Sequence, residues 1–252
     1  MKLIPPKTSK ALEVQYFRYL LSILSKINDT FNSVVLPIAK QPEEIQDSQL
    51  LSLEDALKAF ELKVNLSVPP KKIKKIATDV TNRNVKRNKK VWRDKLNPSY
   101  FGVNIAKKLS FEGEKDYIRS RISTNTILIT KMKDEYIDQL NILVLNKYQK
   151  GTTNRQLAKE LEKQFGINKS KAKLIARNET KNTNTQLNNK QALSLGFSKG
   201  VWLGSEDEKE REQHNKHNNK EYDIGVGLPD GDGGKEQPGD AILCRCTFYI
   251  NT

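Results

Sequence analysis

The chain has 252 residues, 36% apolar and 29% charged, and carries a net charge of +14. This leaves material for compact cores in series but not for one thick core through the whole chain. No run approaches the ~20 apolar residues of a membrane-spanning helix, and two cysteines one residue apart exclude a disulfide scaffold, because an i,i+2 bridge is strained. The opening Met1-Lys2-Leu3-Ile4-Pro5-Pro6 lacks an apolar signal core with a cleavage site, so a soluble protein made and kept in a cytoplasm is expected.

Taken in chain order, Leu12, Tyr16, Tyr19, Leu20, Ile23, Ile27, Phe31 and Val34 recur at the spacing of an amphipathic helix over 12–35, with Pro37 and Pro42 breaking it. Acidic residues dominate 43–61, where a second helix is expected around Leu51–Leu62, and Pro69-Pro70 marks a boundary or kink. The stretch from Pro69 to Leu96 then carries eleven Lys and Arg against two Asp, which is nine of the chain's fourteen net positive charges. It reads as a long helix with a patchy apolar stripe (Ile73, Ile76, Val80, Val91, Trp92, Leu96), stopped by Asn97-Pro98. Such a concentration of cations is the footprint of a polyanion partner. The DNA-contact candidates are Lys71, Lys72, Lys74, Lys75, Arg83, Lys86, Arg87, Lys89, Lys90 and Arg93; the competing readings are a solvated Lys-rich face, or neutralisation by the acids before Pro69.

A further helix or pair of helices is expected over 114–149, closed by Gly151. Thr153 with Gln156 fits a capping box opening a short helix over 154–165, with Gly166 as its left-handed exit. Asn168 or Ser170 then caps a longer helix over 169–195, closed by Gly196. Beyond that point the pattern becomes extended, with strands near 201 and 222, an irregular Gly-, Pro- and Asp-rich loop over 224–240, and a terminal strand over 242–250. Period-two alternation along that strand places Cys244, Cys246, Phe248 and Ile250 on one face and Leu243, Arg245, Thr247 and Tyr249 on the other. The expected fold is mainly α and elongated, with a small α+β C-terminal domain whose helices pack on a short antiparallel sheet. Its parts are a helical region over 1–68, a basic helical arm over 69–110, and a C-terminal domain over 111–252.

Four features stand in order in that last part: Ala176-Arg177-Asn178-Glu179-Thr180 on a helix, Trp202 on a strand, the charged run from Asp207 to His214, and Pro238-Gly239-Asp240 followed by Cys244-Arg245-Cys246. Together they resemble the Mu F-like (head morphogenesis, or minor head) family of tailed phages, through Arg177, Thr180, Trp202, Asp207, Arg211, His214, Cys244 and Cys246. The chain departs from the family pattern at Asn218-Asn219, where an Asn-Gly turn is usual, and at Leu243, where many relatives have asparagine or histidine. Some relatives carry a Cys-x-x-Cys at the positions of Arg211 and His214, of which only His214 remains here as a potential ligand. The resemblance implies a structural minor head protein and not an enzyme. It would be made in the host cytoplasm and carried into the virion, inside the capsid near the portal. Its partners would be the portal protein, the major capsid protein and double-stranded DNA held without sequence preference during packaging or ejection, with no membrane. The alternatives are a metal-dependent phage nuclease and a portal-binding adaptor that does not touch DNA.

His214, Cys244 and Cys246, with His217 as a fourth ligand, are of the types zinc prefers. The competing reading makes the cysteines small buried residues beside Phe248 and leaves His214 bonded to a carboxylate. Histidines three residues apart do not supply the separated ligands and general base of a His-Asn-His nuclease, and no Gly-rich phosphate loop is present. Arg177 is expected to pair with an acid such as Asp207, Thr180 to bond back to its own helix, and Trp202 to anchor a core.

Overall fold

The computed structural model describes residues 2–40, 47–96, 109–150, 152–208 and 210–251. Pro42, Asn97, Pro98 and Gly151, read above as punctuation, and Lys209 lie outside them. The described chain is mainly helical, with a small antiparallel sheet towards its C-terminal end. In chain order the elements are β1 (Lys2–Leu3), α1 (Lys10–Val34), α2 (Leu36–Ala39), α3 (Asp47–Ser67), α4 (Pro70–Lys95), α5 (Glu114–Lys150), α6 (Asn154–Ser194), β2 (Lys199–Leu203), α7 (Glu212–His217), β3 (Glu221–Asp223), β4 (Leu228–Pro229), β5 (Lys235–Glu236) and β6 (Thr247–Asn251). Two compact units divide the chain, one made of residues 1–13, 79–121 and 177–252, the other of 14–78 and 122–176.

The second of these is all helical. Of the stripe predicted for α1, Tyr16, Leu20, Ile23, Ile27 and Phe31 are buried, joined by Leu24, while Leu12, Tyr19 and Val34 are half-buried; Phe31 meets Phe60 of α3 edge to face at 5.4 Å. α4 starts on Pro70, a residue suited to a first turn whose N–H groups lack helical partners. Tyr16 donates its hydroxyl hydrogen to Asn125 on α5 at 3.0 Å, so the buried phenol is satisfied.

The predicted break at Gly166 is absent: α6 runs unbroken from Asn154 to Ser194. The capping box at its start is real, with Gln156 N–H donating to Thr153 Oγ1 (3.2 Å) and Thr153 N–H to Gln156 Oε1 (2.9 Å). The residues expected to open a second helix bond backwards instead, Asn168 to the Gln164 carbonyl and Ser170 to the Gly166 carbonyl. Leu157, Leu161, Asn168, Ala172 and Ala176 are buried along one side of the helix, before and after Gly166. Burying that stripe outweighs the roughly 1 kcal/mol that a mid-helix glycine costs.

In the first unit a four-stranded antiparallel sheet has the order β1-β6-β2-β3. Its register pairs Leu3 with Ile250, Trp202 with Phe248, and Gly200 with Tyr222. A Cβ on Gly200 would sit 3.1 Å from both Phe248 and Tyr222, so glycine there lets those rings meet edge to face at 6.1 Å. The core comprises Leu3, Trp92, Leu96, Leu109, Ala192, Trp202, Tyr222, Ile224, Cys244, Cys246, Phe248 and Ile250. β1, and the β4–β5 hairpin inside the stretch read as irregular loop, are not foreseen by the sequence pattern. The expected strand over 242–250 is shorter: only 247–251 pair, and Ile242–Cys246 is a turn in which Leu243 adopts φ +59°.

Gly227 closes the approach to that hairpin at φ +91°, and a Cβ there would lie 2.2 Å from the Glu236 carbonyl oxygen. Gly227→Ala therefore combines left-handed strain of about 1–2 kcal/mol with a backbone clash, and is expected to lower the urea midpoint clearly. Gly233→Ala, also at positive φ but with nothing within 4 Å of the added carbon, supplies the control for strain alone. Equal midpoints for the two variants would show that the close approach to Glu236 is not constraining.

Candidate functional site

Of the family-motif residues, Trp202, Asp207, Arg211 and His214 converge on the turn that carries the two cysteines. Trp202, fully buried on β2, is the floor: the rings of His214 and His217, both on the inward face of the short helix α7, lie 5.5 and 5.0 Å from its ring. Arg211, at the N-cap of α7, donates to the Ile242 carbonyl at 2.8 Å, and Asn178 accepts from the Leu243 N–H at 3.3 Å. Asp207 takes both guanidinium arms of Arg245. The acid expected to hold Arg177 thus holds Arg245, and Arg177 is exposed. The buried ion pair on this part of α6 is made by its neighbour Glu179, whose Oε2 is 2.5 Å from Nη2 of Arg121. Thr180 contributes its carbonyl, which accepts from Asn84 at 2.8 Å. Asn219 has φ +63°, the left-handed conformation that asparagine tolerates in place of glycine.

Pinned in this way, the turn aims both sulfurs at one nitrogen. Cys244 Sγ and Cys246 Sγ each lie 3.5 Å from Nδ1 of His214. The other ring nitrogen, Nε2, is 2.8 Å from Glu236 on β5. A carboxylate accepting from Nε2–H leaves the Nδ1 lone pair directed at the sulfurs. The Cys246 N–H donates to Cys244 Sγ at 3.4 Å, and Glu210 Oε1 lies 3.4 Å from Cys246 Sγ. Glu210 is itself held by the N–H groups of Ser205 (3.1 Å) and Glu206 (2.8 Å). A cavity of about 90 Å³ opens onto the group, lined by Ser205, Glu210, Arg211, His214 and the turn. The hydrogen bond from Cys246, with help from Lys181 and His214, holds the Cys244 thiol below its ordinary range against the opposing effect of burial. Cys246 is pushed up, first by its bond to Cys244 and then by burial and Glu210.

His214, Cys244 and Cys246 are the three predicted ligands that come together, and all are buried. His217 is not among them; its Nε2 is 2.8 Å from the Pro229 carbonyl, so it ties α7 to β4. Sequence reasoning misses Glu236 and weighs Glu210, with Asp207 and Glu208, only as a carboxylate of a nuclease set aside in favour of a solvated turn. Glu210 sits in the charged run, where each acid looks like a solvated turn, and Glu236 sits in the stretch read as loop.

The DNA-contact candidates on α4 separate into two kinds. Lys89 pairs with Glu114 at 2.6 Å, Arg87 donates to the Lys7 carbonyl at 2.8 Å, Arg83 pairs with Asp79 at 2.7 Å, and Lys72 donates to the Ser67 carbonyl at 3.2 Å. Lys71, Lys74, Lys75, Lys86, Lys90 and Arg93 are exposed, and their side chains make no hydrogen bond or ion pair with the described residues. No helix among the described residues is long and apolar enough to cross a membrane.

A mainly helical protein with a small α+β region that carries the motif turn is the class these features define. Residues 138–249 match the family described as Phage Mu protein F like protein. The match takes in the motif residues from Arg177 to Cys246. A protein of Haemophilus influenzae (strain ATCC 51907 / DSM 11121 / KW20 / Rd), described as an uncharacterized protein, is 26% identical over 122 residues, an alignment covering 48% of this chain and 26% of the relative. The chain thus spans about a quarter of that relative's length. No solved structure matches the chain.

Proposed function

We propose that this chain is a structural minor head protein of a tailed bacteriophage, bound at the portal or inner capsid, which assists head assembly and contacts genomic DNA without sequence preference. The family match over 138–249 supports the head role. The DNA contact rests on the face of α4 that carries Lys86, Lys90 and Arg93. Asn84, Asn88 and Trp92 of the same helix are buried, and at ~100° per residue the three cations point roughly opposite them. Free ammonium and guanidinium groups in one row fit a phosphate backbone, and binding of this kind weakens steeply with salt.

Replacing Lys86, Lys90 and Arg93 together by alanine is expected to reduce the slope of log affinity for duplex DNA against log salt by about 3, at roughly 0.9 for each phosphate no longer neutralised. Affinity should fall alike on unrelated sequences. These residues make a cleaner test than Arg87 or Lys89, whose replacement would also release the Lys7 segment or Glu114. An unchanged slope removes the row from the function. Salt-sensitive association with portal protein and no DNA retention would favour an adaptor whose basic face meets an acidic protein surface. Divalent-metal-dependent cleavage of duplex DNA, lost on replacing His214, would favour a nuclease. Location and copy number in purified virions test the head assignment itself.

A further inference from the structure

Three Lewis-basic atoms converge at the Cys244–Cys246 turn, Nδ1 of His214 and the two thiol sulfurs, all within 4.8 Å of one another, and a carboxylate oxygen of Glu210 lies beside Cys246 Sγ at 3.4 Å. A thiol proton can join only one donor to one acceptor, so with the Cys246 proton on Glu210 and the Cys244 proton on Nδ1, no proton remains to explain why Cys246 Sγ sits as close to that lone pair as Cys244 Sγ does. A cation at their centre would serve all three, with Glu210 within reach on the Cys246 side. For tetrahedral zinc, with bonds of about 2.3 Å to sulfur and about 2.0–2.1 Å to nitrogen or oxygen, the sulfur–nitrogen and sulfur–oxygen edges come to about 3.5–3.6 Å. The observed separations are 3.5 Å from Nδ1 to each sulfur and 3.4 Å from Cys246 Sγ to Glu210 Oε1.

We propose that His214 Nδ1, Cys244 Sγ, Cys246 Sγ and Glu210 form a closed, structural zinc site, with Glu236 as the residue that positions His214. The surroundings fit this at three further points. Glu236 on Nε2 is the carboxylate–imidazole arrangement that fixes the tautomer of a zinc-bound histidine. The N–H of Cys246 on Cys244 Sγ stabilises a thiolate from within the turn. Zinc with two thiolates and one carboxylate leaves a net charge of −1, and Lys181, whose ammonium is buried without a hydrogen-bond partner among the described residues, lines the same cavity as Cys246. The ion would join α7, the β4–β5 hairpin through Glu236, and the turn entering β6. These are elements with few backbone bonds of their own.

The test uses the full chain, purified without chelator. One zinc per chain by elemental analysis is expected, together with a lower melting temperature after chelation that added zinc restores. Replacement by cobalt should give the intense d–d absorption of a tetrahedral site and thiolate-to-metal charge transfer. Glu236→Ala is expected to weaken zinc about 10- to 100-fold while keeping the charge-transfer band, and Glu236→Gln, which retains an acceptor for Nε2–H, should recover much of that loss. Cys244→Ser should reduce the charge-transfer intensity by about half; if that variant is too unstable to purify, the wild-type measurements decide the question alone. A folded wild-type chain that takes up neither zinc nor cobalt, with a melting temperature indifferent to chelator, overturns the site. Unchanged zinc affinity in Glu210→Ala overturns Glu210 as the fourth ligand. The head and DNA assignments do not depend on either result.

Discussion

Arg121→Ala is expected to destabilise the protein by about 3–5 kcal/mol, because it strands a buried carboxylate. Arg121 and Glu179 are 9% and 7% exposed, and their 2.5 Å contact leaves little room for water. Arg121 also donates through Nε to Thr183 Oγ1 at 3.2 Å, and Tyr117 donates its hydroxyl hydrogen to the Thr183 carbonyl at 3.3 Å. The pair therefore sits in a small network joining α5 to α6, and burial holds the Tyr117 phenol well above its ordinary range, in its neutral, donating form. Glu179→Ala should cost a similar amount by leaving the guanidinium unpaired. The double variant Arg121→Met/Glu179→Leu should cost far less than the two singles added, since an apolar pair of similar volume avoids desolvating two charges. Urea unfolding followed by tryptophan fluorescence measures this in the right place, because Trp92 and Trp202 both belong to the compact unit that holds the pair. Single-variant costs below about 1 kcal/mol, the range of exposed pairs, would mean that the contact behaves as a surface ion pair.

Helix positions are legible in the sequence where an apolar stripe has a clear period. α1, α5 and the start of α6 follow from Tyr16, Leu20, Ile23 and Ile27, from Met132, Tyr136 and Leu140, and from the Thr153–Gln156 box. The Gly166 break is a false signal because a glycine followed by Asn168 and Ser170 carries the same residues as a helix exit and a new cap. Only the burial of Ala172 and Ala176 in line with Leu161 decides for one helix. The strand over 242–250 fails for a related reason. Cys244 and Cys246 are buried and Arg245 is exposed, as alternation requires, but a turn pinned by Arg211 and Asp207 produces the same in–out sequence without a ladder. The candidate site is half visible: the order Trp202, His214, Cys244, Cys246 points to it, whereas Glu236 reaches His214 across a hairpin that has only two residues per strand. The asparagines of α4 and α6 escape sequence reading altogether. Apolar spacing gives no weight to Asn84 and Asn88, yet with Ala77, Thr81, Val85 and Trp92 they complete a stripe that the apolar residues alone leave patchy.

Those asparagines carry the other large effect. Asn88 is completely buried and donates both hydrogens of Nδ2, to Oδ1 of Asn184 at 2.9 Å and to Oδ1 of Asn188 at 2.7 Å. Asn188 Oδ1 also accepts from Trp92 Nε1 at 3.1 Å, while the Asn184 and Asn188 amides both donate to the Pro6 carbonyl at 2.8 and 3.0 Å. With Asn84 on the Thr180 carbonyl, the i,i+4 row 84-88-92 of α4 faces the row 180-184-188 of α6, and the N-terminal lead is tied to the second row. Asn88→Leu keeps the volume and removes both bonds, leaving Oδ1 of Asn184 without its donor from α4. The expected cost is about 2–4 kcal/mol, from two hydrogen bonds and one buried acceptor left unsatisfied. Asn88→Asp separates polarity from shape. Its carboxylate would face two acceptors, so burial and that repulsion raise the folded-state pKa above the unfolded value of about 3.9. A raised folded pKa favours the native state at low pH, and that advantage is lost as pH rises through it. Asn88→Asp should therefore be the more damaging variant at neutral pH, and its deficit against wild type should shrink as pH falls towards about 4, where a protonated carboxyl regains one donor. A deficit independent of pH, or an Asn88→Leu protein as stable as wild type, would mean that the two rows are held together by Trp92 and its apolar neighbours and not by the amide ladder.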